Sequence, residues 1–473
     1  MNIFFEETSS KLGKDFLQGI CSKIPSIKKI FLINYLDVDQ PKIKDVEVIT
    51  ICKEEASNSN YTDIDLLKPV DKRIFNDLNL DSLHTLKMIE RIGKFKGSDN
   101  YDERLNMYFN HIKFWNHMIE FHKIEMSIFM SVPHEPSTFI IHQLMKIKKK
   151  ISLYQEQLHF LDTYSIEENI KITKPKKYKF ENILFENAKS TVFQFKKPSY
   201  TPFYFKNWGN NLNNFNIRFK KINYILNEII SKKSFFNYVK YKLKGIFIKR
   251  KILNFLKKNQ ITPDLNKNYI FIPLHYQPEA STSPKGDIFV YQNLMIHMIS
   301  SALNETDWII YVKEHPFQNP LFGRSFNFYS RITNLKNVFL IKNNVPSRKI
   351  LLRSKAVGIV TGTMGLEAIC NGIPVLCFGE IYYKFLHGVF AIETNKDIDL
   401  ALEKIKNNFK PDLKKLIIQL NKIPVNYYHG YTNYEYEEVS KISYNVNLKN
   451  LVENLFSYLS NRKSFIKIIN SKS

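Results

Sequence analysis

Apolar and polar positions alternate along this chain in two registers, one of short unbroken apolar runs and one of apolar residues spaced at helical intervals. In the first part, Lys29 to Tyr35, Val46 to Lys53, Met126 to Val132 and Ile151 to Tyr154 are β-rich runs. Between them, Glu103 to Lys123 spaces its Leu, Tyr, Phe, Ile and Trp residues as a helix does. Strands alternating with helices predict a mostly parallel sheet covered by helices on both faces, a Rossmann-like unit over residues 1–170.

A second and clearer succession follows over residues 263–425. The strands are Tyr269 to Leu274, Trp308 to Val312, Val338 to Ile341, Ala356 to Val360 and Val375 to Phe378. The intervening helices are Phe289 to Leu303, Pro346 to Ser354, with its proline early, and Met364 to Cys370. In the segment 426–473, Leu448, Leu451, Val452, Leu455, Phe456 and Leu459 recur at helical spacing, which predicts a closing helix with one buried face.

The two units are joined by a connector, 171–262, in which the periodicity weakens. Between Glu228 and Asp264 there is no acidic residue, while ten Lys and Arg residues from Lys232 to Lys258 interleave with Phe235, Phe236, Tyr238, Tyr241, Phe247 and Phe255. Such a basic, aromatic-bearing segment suits an anionic membrane surface, each cation near it worth about 1 kcal/mol. The composition would equally suit RNA, or a solvated connector that packs its rings on the core.

Length and charge sharpen this picture only in part. A chain of 473 residues exceeds what one core organises, which agrees with two domains facing a cleft. The net charge of +24 points to anionic partners without choosing among phosphorylated metabolites, lipid headgroups and nucleic acid. The abundance of Lys, Asn, Ile and Phe is also what A- and T-rich coding sequence produces. The cysteines Cys21, Cys52, Cys370 and Cys377 follow neither a disulfide framework nor zinc-ligand spacing, so a reducing compartment is the default. The opening MNIFFEETSSKLG lacks the segments of an export signal, and no apolar run is long enough to cross a bilayer. A cytoplasmic protein, at most peripheral to the inner face of the plasma membrane, is expected.

Chemistry concentrates at three strand-to-helix junctions of the second unit, where such sheets bind nucleotides. Thr361-Gly362-Thr363-Met364-Gly365-Leu366-Glu367 leaves one strand and enters a helix. Small residues there let the backbone approach a phosphate, helix-start amides attract it, and Glu367 could accept ribose hydroxyls. A helix start capped by Thr361 or Thr363 accounts for the same residues without a ligand. Lys313-Glu314-His315-Pro316 follows a second strand; Pro316 fixes the backbone after His315, whose ring can donate to a leaving phosphate beside the charge of Lys313. The polar loop His275-Tyr276-Gln277-Pro278-Glu279 follows a third, and Glu279 there reads as a nucleophile, a general base or a turn residue. In the first unit, His134 and Glu135 lie just past a strand, either where an acceptor is met or in a solvated turn. Asp397-Ile398-Asp399 begins a helical pattern and reads as a cap, so no metal site is expected.

The strings FIPLHYQPEASTSP, YVKEHP and GTMGLEAICNGIPVLCFGEIYY, in that order, resemble the capsule polysaccharide biosynthesis family, whose characterised members include retaining bacterial β-Kdo transferases that use CMP-Kdo. The resemblance covers about Tyr269 to Gly388 and implies a GT-B-like α/β fold of two Rossmann-like domains. It implies contact of His315 with the donor phosphate, nucleotide binding by Thr361, Thr363 and Glu367, and a covalent nucleophile at Glu279, where the family usually has Asp. The activity implied is transfer of a sugar, a Kdo-like nonulosonic acid from a CMP donor being favoured, to a glycan or glycolipid acceptor. No cofactor beyond the nucleotide-sugar co-substrate, no metal and no nucleic-acid partner are expected. A 2-epimerase, a polyol-phosphate transferase and a noncatalytic membrane or RNA-binding component are the alternatives.

Overall fold

The computed structural model describes residues 1–6, 9–34, 40–90, 101–197, 232–277, 282–318 and 324–470. Within these, the strands fall into two seven-stranded sheets and one two-stranded ladder.

The first sheet contains β1 (Asn2–Phe5), β2 (Lys29–Asn34), β3 (Glu47–Cys52), β4 (Ile124–Phe129), β5 (Ile151–Gln157) and β6 (Thr163–Glu167). With β16 (Tyr427–His429) at one edge, its order is β16-β6-β5-β4-β1-β2-β3, parallel from β5 to β3 and antiparallel at the β6 and β16 end. The four-residue β1, hydrogen-bonded on both sides by β2 and β4, occupies the middle of the sheet although its sequence is too short to show a period.

The second sheet is all parallel. Short β8 (Gln260–Ile261) is followed by β9 (Tyr269–Pro273), β10 (Ile309–Lys313), β11 (Val338–Ile341), β12 (Ala356–Ile359), β13 (Val375–Cys377) and β14 (Val389–Ala391), in the order β14-β13-β12-β9-β10-β11-β8. Its inner strands, β9 to β13, bury both faces, which is why they read as continuous apolar runs rather than alternating ones. The chain runs outward from β9 on one side and restarts at β12 on the other, so the carboxyl ends of β9 and β12 flank the point where strand order reverses. These are the α/β units of a GT-B-like architecture, as the sequence predicts.

The connector and the tail are more integrated than their sequences suggest. Within 171–262, the helix Asn182–Lys196 buries Leu184, Ala188, Val192 and Phe195 in the second unit's core. The helix Lys232–Asn259 buries Ile252 and Leu256 in that same unit. The closing helix, Tyr444–Ser460, packs Leu451, Leu455 and Leu459 on Phe16, Leu17 and Ile20 of the first unit. Strand β16 (Tyr427–His429) also joins the first sheet, at β6. The segment 426–473 therefore completes the first unit. The two crossings between units lie side by side: β7 (Tyr178–Lys179) on the way out pairs antiparallel with β15 (Ile423–Pro424) on the way back.

Candidate active site at the strand-order reversal of the second sheet

His275 leaves β9 and Thr361 leaves β12, and the two meet. The backbone N–H of Thr361 donates to His275 Nε2 at 3.0 Å. His275 is buried, and its own N–H is held by Gln292 Oε1 at 2.9 Å. Burial, then the charge of Arg324 and the ring of His315, push its pKa down to about 3. The ring is therefore neutral, and because Nε2 accepts, the proton sits on Nδ1. That Nδ1 is buried with no hydrogen-bond partner among the described residues.

The Thr361 loop opens the helix Thr363–Cys370, whose N-cap is Gly362. The N-cap position thus belongs to neither threonine, and Gly362 has no side chain with which to cover the first amides. The carbonyl of Gly362 accepts from Tyr383 OH. Close approach explains the glycines: a Cβ at Gly362 would lie 2.9 Å from His275 Nε2, and one at Gly365 would lie 2.5 Å from Ile359 Cδ1. Gly365 thus serves packing of the helix on its strand.

The loop after β10 is tied to the loop after β9. Gln318 bridges Gln277 twice, accepting from its N–H and donating to its carbonyl, each at 2.9 Å. Gln277 also donates through Nε2 to the carbonyl of Val290 at 2.5 Å, so its role here is to brace the loop. Glu314, buried, accepts from Arg324 at 2.7 Å, from Tyr329 OH at 2.5 Å and from the N–H of His315 at 2.7 Å. His315 itself is half-buried beside the ring of Tyr276, and its Nδ1 accepts from the N–H of Phe317 at 3.3 Å. Burial, then Arg324 and Lys313, push its pKa down to about 4, so it is a neutral imidazole at physiological pH. Pro316 is exposed at the turn that follows. Lys313, its pKa lowered by burial, donates to Ser347 Oγ at 3.1 Å.

Three of the predicted stretches, those of His275, His315 and Thr361, therefore form one neighbourhood. Glu279 lies outside the described residues. Glu367 is buried one turn into its helix and ion-paired with Arg348; burial raises its pKa although Arg348 pulls the other way. In the first unit, Glu135 is the N-cap of the helix Pro136–Ile147, in a capping box with Thr138, and pairs with Lys53 at 2.5 Å. His134 hydrogen-bonds the carbonyl of Val132 at 2.7 Å through Nδ1. Asp397 is a capping-box residue with Thr394.

Sequence reasoning passed over Arg324 and His159. His159 follows β5 of the first unit and reaches the second, its Nε2 lying 3.2 Å from Thr363 Oγ1 and its Nδ1 3.2 Å from Tyr382 OH. Burial, then Lys285, push its pKa down to about 4. The units are further joined by the ion pair of Lys285 with Glu156 on β5, and by the N–H of Ile172 donating to Glu380 at 2.6 Å. A histidine alone in LHFLDTY carries no motif that would single it out.

With this geometry in hand, residues 208–422 match the family model described as capsule polysaccharide biosynthesis protein. That segment is similar to the capsule polysaccharide biosynthesis family. It contains all three loops, and the resemblance drawn from their motifs holds. Among curated proteins, none matches the chain. Among solved structures, the chain is similar to the β-Kdo 2,7 transferase of Thermosulfurimonas dismutans KpsC, with 14% identity over 78% of this chain and 96% of that one and a TM-score of 0.34. The β-Kdo 2,4 transferase of the same KpsC gives 12% identity over 70% and 87%, with a TM-score of 0.36. The UDP-GlcNAc 2-epimerase of Neisseria meningitidis gives 12% over 98% and 100%, with a TM-score of 0.23.

Proposed function

We propose that the protein is a nucleotide-sugar glycosyltransferase of surface polysaccharide synthesis, and that its donor phosphate binds where the loops of His275, His315 and Thr361 converge. The observation that carries this reading is the hydrogen bond from Thr361 to His275 at the strand-order reversal, with the His315 loop strapped to the same place by Gln318. Neutral imidazole N–H groups and the amides at the start of the helix Thr363–Cys370, whose N-cap is a glycine, stabilise the charge of a departing nucleotide without a metal. A Kdo-like sugar on a CMP donor is the favoured substrate, from the resemblance of the three motifs.

In the retaining form of the reaction, the carboxylate of Glu279 attacks the anomeric carbon, the bond to the nucleotide phosphate breaks, and the nucleotide leaves with that electron pair. The acceptor oxygen then bonds to the anomeric carbon, the bond to the Glu279 carboxylate breaks with its electron pair returning to that carboxylate, and the hydroxyl's proton passes to solvent or to the released nucleotide phosphate. In this reading the acceptor, a glycan or glycolipid, is met by the first unit, with His134 and Glu135 as the candidate residues on its side.

Contact with an anionic membrane surface belongs to the same reading. On the helix Lys232–Asn259, Ile246, Phe247 and Leu253 are exposed beside Lys249, Arg250, Lys257 and Lys258, while Ile252 and Leu256 hold the helix to the second unit. Among the described residues no helix is long and apolar enough to cross a membrane.

The test is incubation of the purified protein with CMP-Kdo and, separately, UDP-GlcNAc. Release of CMP that falls by about 10²-fold or more in His315→Ala, with unfolding temperature kept, is the expected result. Isomerised UDP-sugar would instead make the protein an epimerase.

A further inference from the structure

We propose that Arg324 is the positioning residue of this site, a buried guanidinium that locks the His275 loop and the His315 loop into a single body. The proposal rests on the donor-site reading above and adds a residue to it.

The side chain of Arg324 is 1% exposed. Its Nη1 donates to Glu314 Oε1 and to Gln318 Oε1, each at 2.7 Å, and its Nη2 donates to the carbonyl of His275. The fork therefore touches the residue before His315, the residue that clamps Gln277, and the backbone of His275. Lysine, with one point of charge, could not span three acceptors in this planar arrangement.

A buried ion pair seldom improves stability over apolar packing, and here Nε is left buried with no hydrogen-bond partner among the described residues. A charge kept at that cost fits an electrostatic task. Burial is the larger cause of the neutral state of both histidines, and the nearby charge of Arg324 acts in the same sense. The other charged groups near His315 are Lys313, which acts in the same sense, and the Glu314 carboxylate, which Arg324 and Tyr329 occupy. The ring of Tyr276 supplies the apolar side. Neutral rings keep their N–H donors, and the Arg324 fork keeps the loops that carry them in one arrangement.

Two variants test this. Arg324→Lys keeps the charge and loses the fork; Glu314→Gln with Arg324→Met removes the ion pair without leaving a buried carboxylate alone. Histidine titration followed by NMR and nucleotide affinity measured with CMP and with UDP are the readouts. In the double variant the midpoint of His315 should rise by about one pH unit or more. In both variants the affinity for the nucleotide that binds best to the parent should fall about tenfold or more. Arg324→Lys should shift the midpoint far less than the double variant does. The proposal is overturned if the parent binds a nucleotide and both variants bind it equally well, or if the His315 midpoint in the double variant stays where it was. A parent that binds neither nucleotide overturns the donor-site reading instead, and the titration then decides the role of Arg324 by itself.

Discussion

The Thr361 N–H and the His275 ring, 86 residues apart in the chain, are joined by a hydrogen bond of 3.0 Å across the place where the second sheet reverses its strand order. Gly362, next in line, leaves no room for a side chain against that ring. Its backbone has a φ of −71°, which any residue adopts, so an added methyl group acts by displacing His275 and not by straining the chain. Gly362→Ala should therefore lower nucleotide affinity and turnover about tenfold or more while costing about 1–2 kcal/mol of stability. Isothermal titration with nucleotide alongside thermal unfolding separates the two effects; loss of fold with no change in affinity would contradict the placement of the site.

Glu167, at the end of β6, gives a stability change with pH. Burial and the neighbouring Glu156 push its pKa up to about 7, against the pull of Ser165, Lys285 and Asn426. Its folded value thus lies above its unfolded one, so the folded state holds the proton more tightly. The carboxyl costs nothing below the unfolded value and becomes a burden as pH rises from about 4.5 to about 7. Glu167→Gln should stabilise the protein by about 1–3 kcal/mol at pH 8 and by almost nothing at pH 4.5. Denaturant unfolding at both pH values checks the difference.

The ion pair between Lys285 of the second unit and Glu156 of the first is nearly dry, with side chains 4% and 13% exposed. Lys285→Met leaves a buried carboxylate without its partner and should cost about 3 kcal/mol. Adding Glu156→Gln should restore much of that loss. Additive penalties in the double variant, read by thermal unfolding, would mean that the pair does not couple the units.

Charge reversal of Lys249, Arg250 and Lys257 should abolish sedimentation with phosphatidylglycerol vesicles at low salt, with nucleotide affinity unaltered. Raising salt should weaken the binding of the parent protein in the same assay, since about 1 kcal/mol per cation is electrostatic and screened. Equal binding to neutral vesicles would remove the basic helix from that role.

The sequence announced the second unit more plainly than the first for a physical reason. Strands such as Tyr269–Pro273 and Ala356–Ile359 are buried on both faces, so they appear as solid apolar runs ended by polar loops. Those polar loops are where the candidate site lies. Strand β1 was hidden because four residues cannot display a period, and β16, reading Tyr-Tyr-His, is a strand only because β6 offers it an edge. The helix Asn182–Lys196 draws its stability from docking on the second unit's core, which no local spacing records. At the site itself, the polar junctions were legible, but the partners that decide their state were not. Arg348 lies 19 residues before Glu367, Arg324 sits outside any motif, and His159 arrives from the other unit.

The paired crossing of β7 with β15 bears on how the protein is made. The second sheet lies in sequence between those two short strands, so a ribosome must synthesise it before β16 and the helix Tyr444–Ser460 exist to finish the first unit. Shortening the tail would therefore injure the half of the molecule that was begun earliest, and leave the second unit the better folded of the two.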